Sequence, residues 1–226
     1  MKSFVSLLAL ATAAQAVTFY TLDLRTPGDV NLTQFEGTIK VPEYPPGYPC
    51  DGCTYYLWPG LQGSSVPGVY QNVMSPESSG GTWSVDSGYC CESGQPFDGG
   101  LSGLEPGSEY YFNNLRGNDG TWTTQFAVSG KPVSQTDTFN YSAFPFNLAV
   151  FAIELYGASW NFGEFAFYDV TIAWLGDDTS ACNNNLAEYN GGDFAYAVDG
   201  ASATVRDGQV FCYFSQVLFE APPPSS

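Results

Sequence analysis

Apolar and polar positions in this chain follow a spacing of two or cluster in short runs, and no long stretch repeats at the helical spacing of 3.6 residues. Gly, Pro, Asn and Asp punctuate the runs, which is how turns between strands are written. Segments rich in aromatic and β-branched residues predict strands at 55–58, 69–73, 81–85, 109–113, 121–128, 148–156, 165–174, 201–206 and 209–214. Asp207-Gly208 between the last two is a hairpin signal, and Leu104-Glu-Pro-Gly107 marks another turn. The pattern predicts an all-β chain, folded as a single β-sandwich of two antiparallel sheets. Residues 17–54 read as an N-terminal strand and a Pro/Tyr-rich loop, 55–220 as the sandwich core, and 221–226 as a disordered Pro-rich tail. No internal repeat and no second domain is visible.

One run departs from alternation. In Leu148-Ala-Val-Phe-Ala-Ile-Glu-Leu-Tyr156, Glu154 is the only charged residue among apolar neighbours and a tyrosine. An ionised carboxylate in such surroundings costs several kcal/mol unless it is paired or hydrogen-bonded. Burial favours its protonated form, which suits a general acid or base. No Lys or Arg lies nearby in sequence to neutralise it. The same residue could instead be a structural carboxyl bonded to backbone or to a tyrosine. Gln71, in Val69-Tyr-Gln-Asn-Val73, has a similar apolar and aromatic setting, or is an ordinary polar residue on a sheet face.

Composition narrows the chemistry. The first sixteen residues have a charged start at Lys2, an apolar centre and an Ala-Gln-Ala16 cleavage pattern, the signature of a secretory leader. That leaves about 210 residues for one exported domain. Asn31-Leu-Thr and Asn140-Tyr-Ser are glycosylation sequons consistent with that route. The chain has 23 acidic and 6 basic residues, which disfavours nucleic acid and anionic membrane as partners. Such a chain suits acidic surroundings, where protonation relieves its self-repulsion. It contains no histidine, which removes imidazole-based serine and cysteine mechanisms and the usual zinc ligands. Asp98 and Asp177-Asp178 are oxygen donors of the calcium type, but no loop concentrates enough of them, so no metal or cofactor is expected. Six cysteines in an exported chain predict three disulfides, with fifteen possible pairings. The expected arrangement is Cys182–Cys212, with Cys50, Cys53, Cys90 and Cys91 tying two neighbouring loops together.

A glutamate and a glutamine on facing strands can hydrolyse an amide without histidine. The carboxylate takes a proton from water while the amide N–H stabilises the oxyanion. At these residues the chain resembles the fungal glutamic peptidases (eqolisins), secreted acid endopeptidases with a concanavalin A-like, jelly-roll sandwich. Trp58-Pro-Gly60 followed by Val69-Tyr-Gln71 resembles the segment that carries the family's catalytic glutamine. Ala149-Val-Phe-Ala-Ile-Glu-Leu-Tyr156 is similar to the strand that carries its catalytic glutamate, and 165–174 and 201–214 resemble its later strands. The resemblance implies catalytic roles for Glu154 and Gln71 and a cleft contributed by Trp58, Gln62, Trp83, Asp86 and Tyr156. Acidic family positions are replaced here by Val150, Leu155 and Gln62.

The resemblance implies a peptide substrate. Two other readings use the same groove: a lectin-like module holding glycan or cell-wall material on tryptophans such as Trp58, Trp83 or Trp122, or an enzyme that isomerises or cyclises a small molecule with a protonated Glu154. Glycoside hydrolysis ranks last, because it generally needs two flanking carboxylates and the strands offer one strong candidate. A monomer is expected in each case.

Overall fold

The computed structural model describes residues 17–64, 67–90, 97–133, 135–139, 145–189 and 194–223. Residues 1–16, expected to be a secretory leader, lie outside the described residues, as do Cys91 and Asn140. In chain order the strands are β1 (Val17–Arg25), β2 (Leu32–Lys40), β3 (Thr54–Gln62), β4 (Val69–Pro76), β5 (Trp83–Cys90), β6 (Asp98–Leu104), β7 (Glu109–Arg116) and β8 (Trp122–Val128). They continue with β9 (Gln135–Phe139), β10 (Leu148–Tyr156), β11 (Phe165–Leu175), β12 (Ala187–Tyr189), β13 (Ala195–Asp199), β14 (Ser202–Arg206) and β15 (Gln209–Ala221). The one helical element among the described residues is a 3-10 turn at Pro27–Asp29.

The strands form two antiparallel sheets. The first runs β12-β1-β10-β3-β4-β5-β6, and the second runs β13-β15-β11-β2-β7-β8-β9 with β14 also paired to β15. The N-terminal segment enters both: β1 lies against β10 in the first sheet, and β2 lies between β11 and β7 in the second. Six strands (β1, β2, β6, β9, β12 and β13) fall outside the nine runs expected from sequence, although one strand is expected within 17–54. Several of these are short or glycine-rich, such as Asp98-Gly-Gly-Leu-Ser-Gly-Leu104, so local propensity is weak and partners define them.

Between the sheets lies an aromatic core. Phe151 of the first sheet meets Phe35 and Phe167 of the second edge-on, at 5.2 and 4.9 Å between ring centroids. One polar cluster interrupts it. Asn114 donates to Asn72 at 2.7 Å, Asn72 donates to Ser87 at 3.2 Å, and Thr124 donates to Asn114 at 2.7 Å, all buried. The Tyr70 hydroxyl bonds Thr124 as well. Tyr70 and Asn72 flank Gln71, so the second sheet grips β4 from beneath at that position. The Asp207-Gly208 hairpin forms as expected: Arg206 pairs with Gln209, and both loop residues have positive φ (51° and 72°).

Disulfides join Cys182 to Cys212, as expected, and Cys50 to Cys53. The second overturns the expected tie between loops, because two cysteines three apart close on each other across the tight Asp51-Gly52 turn, where Gly52 has φ 71°. Cys90 is also disulfide-bonded.

Candidate functional site

Strand alternation sorts β10 into two faces. Ala149, Phe151, Ile153 and Leu155 enter the core, while Leu148, Val150 and Ala152 join Trp58 in a small apolar cluster on the other side of the sheet. Glu154 belongs by alternation to this outer face, and so do Tyr56, Trp58 and Gly60 of β3 and Val69, Gln71 and Val73 of β4. Of the positions where the sequence departs from the eqolisin pattern, Leu155 points into the core, so it takes nothing from this face.

Glu154 is buried to 7 % exposure, and both of its oxygens are engaged. Trp58 Nε1 donates to Oε2 at 2.9 Å, and the Tyr156 hydroxyl donates to Oε1 at 2.7 Å. An indole N–H can only donate, so Oε2 is held as an acceptor. Burial first, then the hydrogen bond to Glu154, raise the Tyr156 phenol far above its ordinary range, so it keeps its proton and donates. Burial and the Glu154 charge raise Tyr56 in the same direction, and its ring meets Tyr156 edge-on at 5.9 Å. Each carboxylate oxygen retains a lone pair for a further donor.

Gln71 is also buried, at 4 % exposure. Its backbone pairs through Gly60 to Val150, so it stands two strands over and four residues along from Glu154. With about 4.8 Å per strand and 3.3 Å per residue, their Cα atoms lie roughly 16 Å apart. Gly60 leaves a gap between them: an added Cβ there would meet the Trp58 ring, the Tyr70 carbonyl and Val69, each at 2.9 Å. The Trp58 indole fills that gap, its ring over Gly60 and its N–H on Glu154.

Two adjoining cavities follow this face. One, of about 410 Å³, is lined by Tyr56, Gln71, Val73, Asp86, Glu154 and Tyr156 among others. The other, of about 220 Å³, includes Phe19, Asp23, Trp58, Gln62, Val69 and Val150 together with Gln71, Glu154 and Tyr156. Gln71, Glu154 and Tyr156 border both, which makes one trough. Of the residues expected there, Trp58, Gln62, Asp86 and Tyr156 line it. Trp83 does not: it sits in the core at 0 % exposure, because even spacing from Asp86 fails and alternation turns it inward. Trp122 is likewise core.

Sequence reasoning overlooked Asp23. On β1 it pairs with Val150, and it lines the trough with Glu154. Its Oδ1 is shielded from solvent and has no hydrogen-bond partner. Burial raises its carboxyl to about 7, against the pull of Arg25, whose guanidinium is itself bonded to Asp29 at 3.0 Å. The signal is present in the sequence: Asp23 is a lone acid between Leu22 and Leu24 in a strand-like run, the same feature that marks Glu154. Among the described residues no group of three or more acidic or cysteine side chains is placed to hold a metal.

No protein-family model matches the chain, and no curated protein matches it by sequence. Solved structures do. Scytalido-glutamic peptidase with a transition-state analogue inhibitor aligns at TM-score 0.55 and 11 % identity, over 88 % of this chain and 99 % of that one. SCP-B, a member of the eqolisin family, in complex with the tripeptide Ala-Ile-His, aligns at TM-score 0.53 and 14 % identity, over 88 % and 98 %. The fold is therefore eqolisin-like, in a divergent form. The disulfides fit an extracellular protein, and no described helix is long and apolar enough to cross a membrane.

Proposed function

We propose that this protein is a secreted acid endopeptidase of the glutamic type, with Glu154 as general base and then acid. One observation carries the reading: a buried glutamate, held by a tryptophan and a tyrosine, lines a trough on the outer sheet face of an eqolisin-like sandwich. In the reaction, Glu154 removes a proton from water as it attacks a peptide carbonyl. It then returns the proton to the departing amine. Gln71 donates its amide N–H to the oxyanion that forms.

The register sets a demand on this scheme. Trp58 stands between the two residues, whose Cα atoms lie roughly 16 Å apart, so Glu154 and Gln71 address a substrate laid over the indole from either side of it.

The test is digestion of an unfolded protein at pH 2–4 by wild type and Glu154→Gln. Cleavage lost in a folded variant supports the reading. Equal cleavage by both proteins, or none by folded wild type, refutes it. A second reading, small-molecule isomerisation or cyclisation by protonated Glu154, draws on the apolar walls of the smaller cavity, where Phe19, Val69 and Val150 stand beside the acid.

A further inference from the structure

The outer face of the second sheet, opposite the trough, carries a hollow that the scheme above does not use. Strand pairing lays it out in two rows. Gln34 pairs with Ala173, Ala173 with Phe211, and Phe211 with Thr204. Two residues along, Glu36 pairs with Thr171, Thr171 with Tyr213, and Tyr213 with Ser202. Paired residues share a face, and the intervening Phe35, Ile172 and Cys212 enter the core, so both rows point outward. Each row spans three strand spacings, roughly 14 Å, and the rows lie about 7 Å apart. On β11 they hold only Ala173 and Thr171, short side chains between the longer ones of β2 and β15, and there the face dips. The resulting cavity of about 290 Å³ adjoins one of about 430 Å³, and Gln34, Arg206 and Phe211 border both.

One wall of the hollow does nothing for the core. β14 buries none of its five residues. Its alternate positions Ser202, Thr204 and Arg206 nevertheless all line the hollow. Arg206 is held above the Phe211 ring, with its guanidinium carbon 4.0 Å from the centroid. The neighbouring aromatic is held as well, because the Tyr213 hydroxyl donates to Asp169 Oδ1 at 2.6 Å. Across the hollow, Tyr111 donates its hydroxyl to Glu36 Oε2, which leaves Oε1 to accept from a ligand. Among the described residues neither Arg206 nor Glu36 is in an ion pair. A charged ligand would meet one of the two with its own sign. A ligand dense in hydroxyl groups instead donates to Glu36 and accepts from Arg206. Between them Thr171, Ser202 and Thr204 offer hydroxyls that both give and take hydrogen bonds.

We propose that this hollow binds a neutral carbohydrate chain, with Glu36 taking hydrogen bonds from sugar hydroxyls and Arg206 giving them. The site is independent of the peptidase reading, since a chain held here leaves the trough open on the other side of the sandwich.

The experiment is calorimetric binding at pH 5 of the full chain to the hexasaccharides of β-1,4-glucan, β-1,4-xylan, β-1,3-glucan and β-1,4-mannan. At least one of them should bind wild type. Arg206→Ala, Glu36→Gln and Thr171→Leu, the last of which fills the dip, should each weaken that binding about 10-fold, and Glu154→Gln in the trough should leave it unchanged. None of the three positions is buried, and circular dichroism checks each fold. Arg206→Ala, on the exposed strand, keeps the test decisive if either of the others misfolds. Binding that is lost in Glu154→Gln and kept in the three variants would place the sugar in the trough and overturn the proposal. No binding by any of the four hexasaccharides would overturn it too. So would a hexamer of galacturonate or of alanine that binds here in their place, the first by making this an anion site and the second a peptide site. Digestion of unfolded protein by Arg206→Ala keeps the two readings apart: sugar binding lost with digestion intact supports the hollow and leaves the peptidase reading standing.

Discussion

Replacing Asp23 by Asn should stabilise this protein above pH 4, and the gain should grow with pH. In the folded chain burial holds the Asp23 carboxyl near about 7, against an ordinary value of 3.8. Below the unfolded value both states carry the proton, and the side chain has no pH-dependent effect. As pH rises above that value the unfolded chain releases its proton first, so wild type loses about 1.4 kcal/mol per pH unit until the folded carboxyl also ionises near pH 7. The full loss is at most about 4 kcal/mol, reduced to the extent that water reaches the open side of the trough. Asn stands in for the protonated acid at every pH, so the variant escapes this loss. Burial is the larger cause of the raised value; Arg25 from its own strand pulls the other way and is itself bonded to Asp29. Thermal unfolding of both proteins from pH 3 to pH 8 cancels the titration of every other carboxylate. At about 2–4 °C per kcal/mol for a chain of this size, the melting temperatures should coincide near pH 3 and separate by several degrees, up to about 15 °C, by pH 8. A gap that does not change with pH would refute the argument, since it would mean that Asp23 ionises as freely in the fold as out of it.

Other expectations follow from the same geometry. Gln71→Ala should lower kcat about 10²–10³-fold with little change in KM if its amide meets the oxyanion; a change in KM alone would make it a binding residue. Trp58→Phe keeps the platform but removes the donor to Glu154 Oε2, so activity should fall by at least 10-fold while the fold persists by circular dichroism. Asn114→Ala strips partners from buried Asn72 and Thr124 and should cost about 1–3 kcal/mol in chemical denaturation. Joint replacement of Cys182 and Cys212 by Ser releases a loop of sequence separation 30 and should cost about 3–4 kcal/mol, seen as an earlier midpoint in denaturant.

The sequence carried the fold class and much of the site, because those signals are local. Apolar runs and turn chemistry are written in consecutive residues, so β10 is legible to the residue at 148–156 and the Asp207-Gly208 hairpin at its two-residue loop. A lone acid among apolar residues advertises its own burial cost, which makes Glu154 legible. Asp23 carries the same mark, but the run around it predicts only an N-terminal strand, with nothing local to place that strand beside β10.

Pairing between distant strands was not legible. Six strands fell outside the expected runs because strands such as β6 and β12 exist by virtue of their neighbours, not of their own propensity. Trp83 reads as a cleft residue in the sequence, but a side chain's face depends on the phase of its strand, and one step of register sends it to the other side of the sheet. The cysteines show the same division: six of them behind an expected secretory leader imply bridges, while only the turn at Asp51-Gly52 decides that Cys50 closes on Cys53. By itself, then, the sequence determined that the chain is β-rich, bridged, acidic and equipped with a buried glutamate. Tertiary structure alone decided that β1 and β4 flank the β10-β3 pair, and so which side chains share the trough. Strand neighbours are chosen by long-range pairing and packing of the whole sandwich, and no window of consecutive residues contains that information.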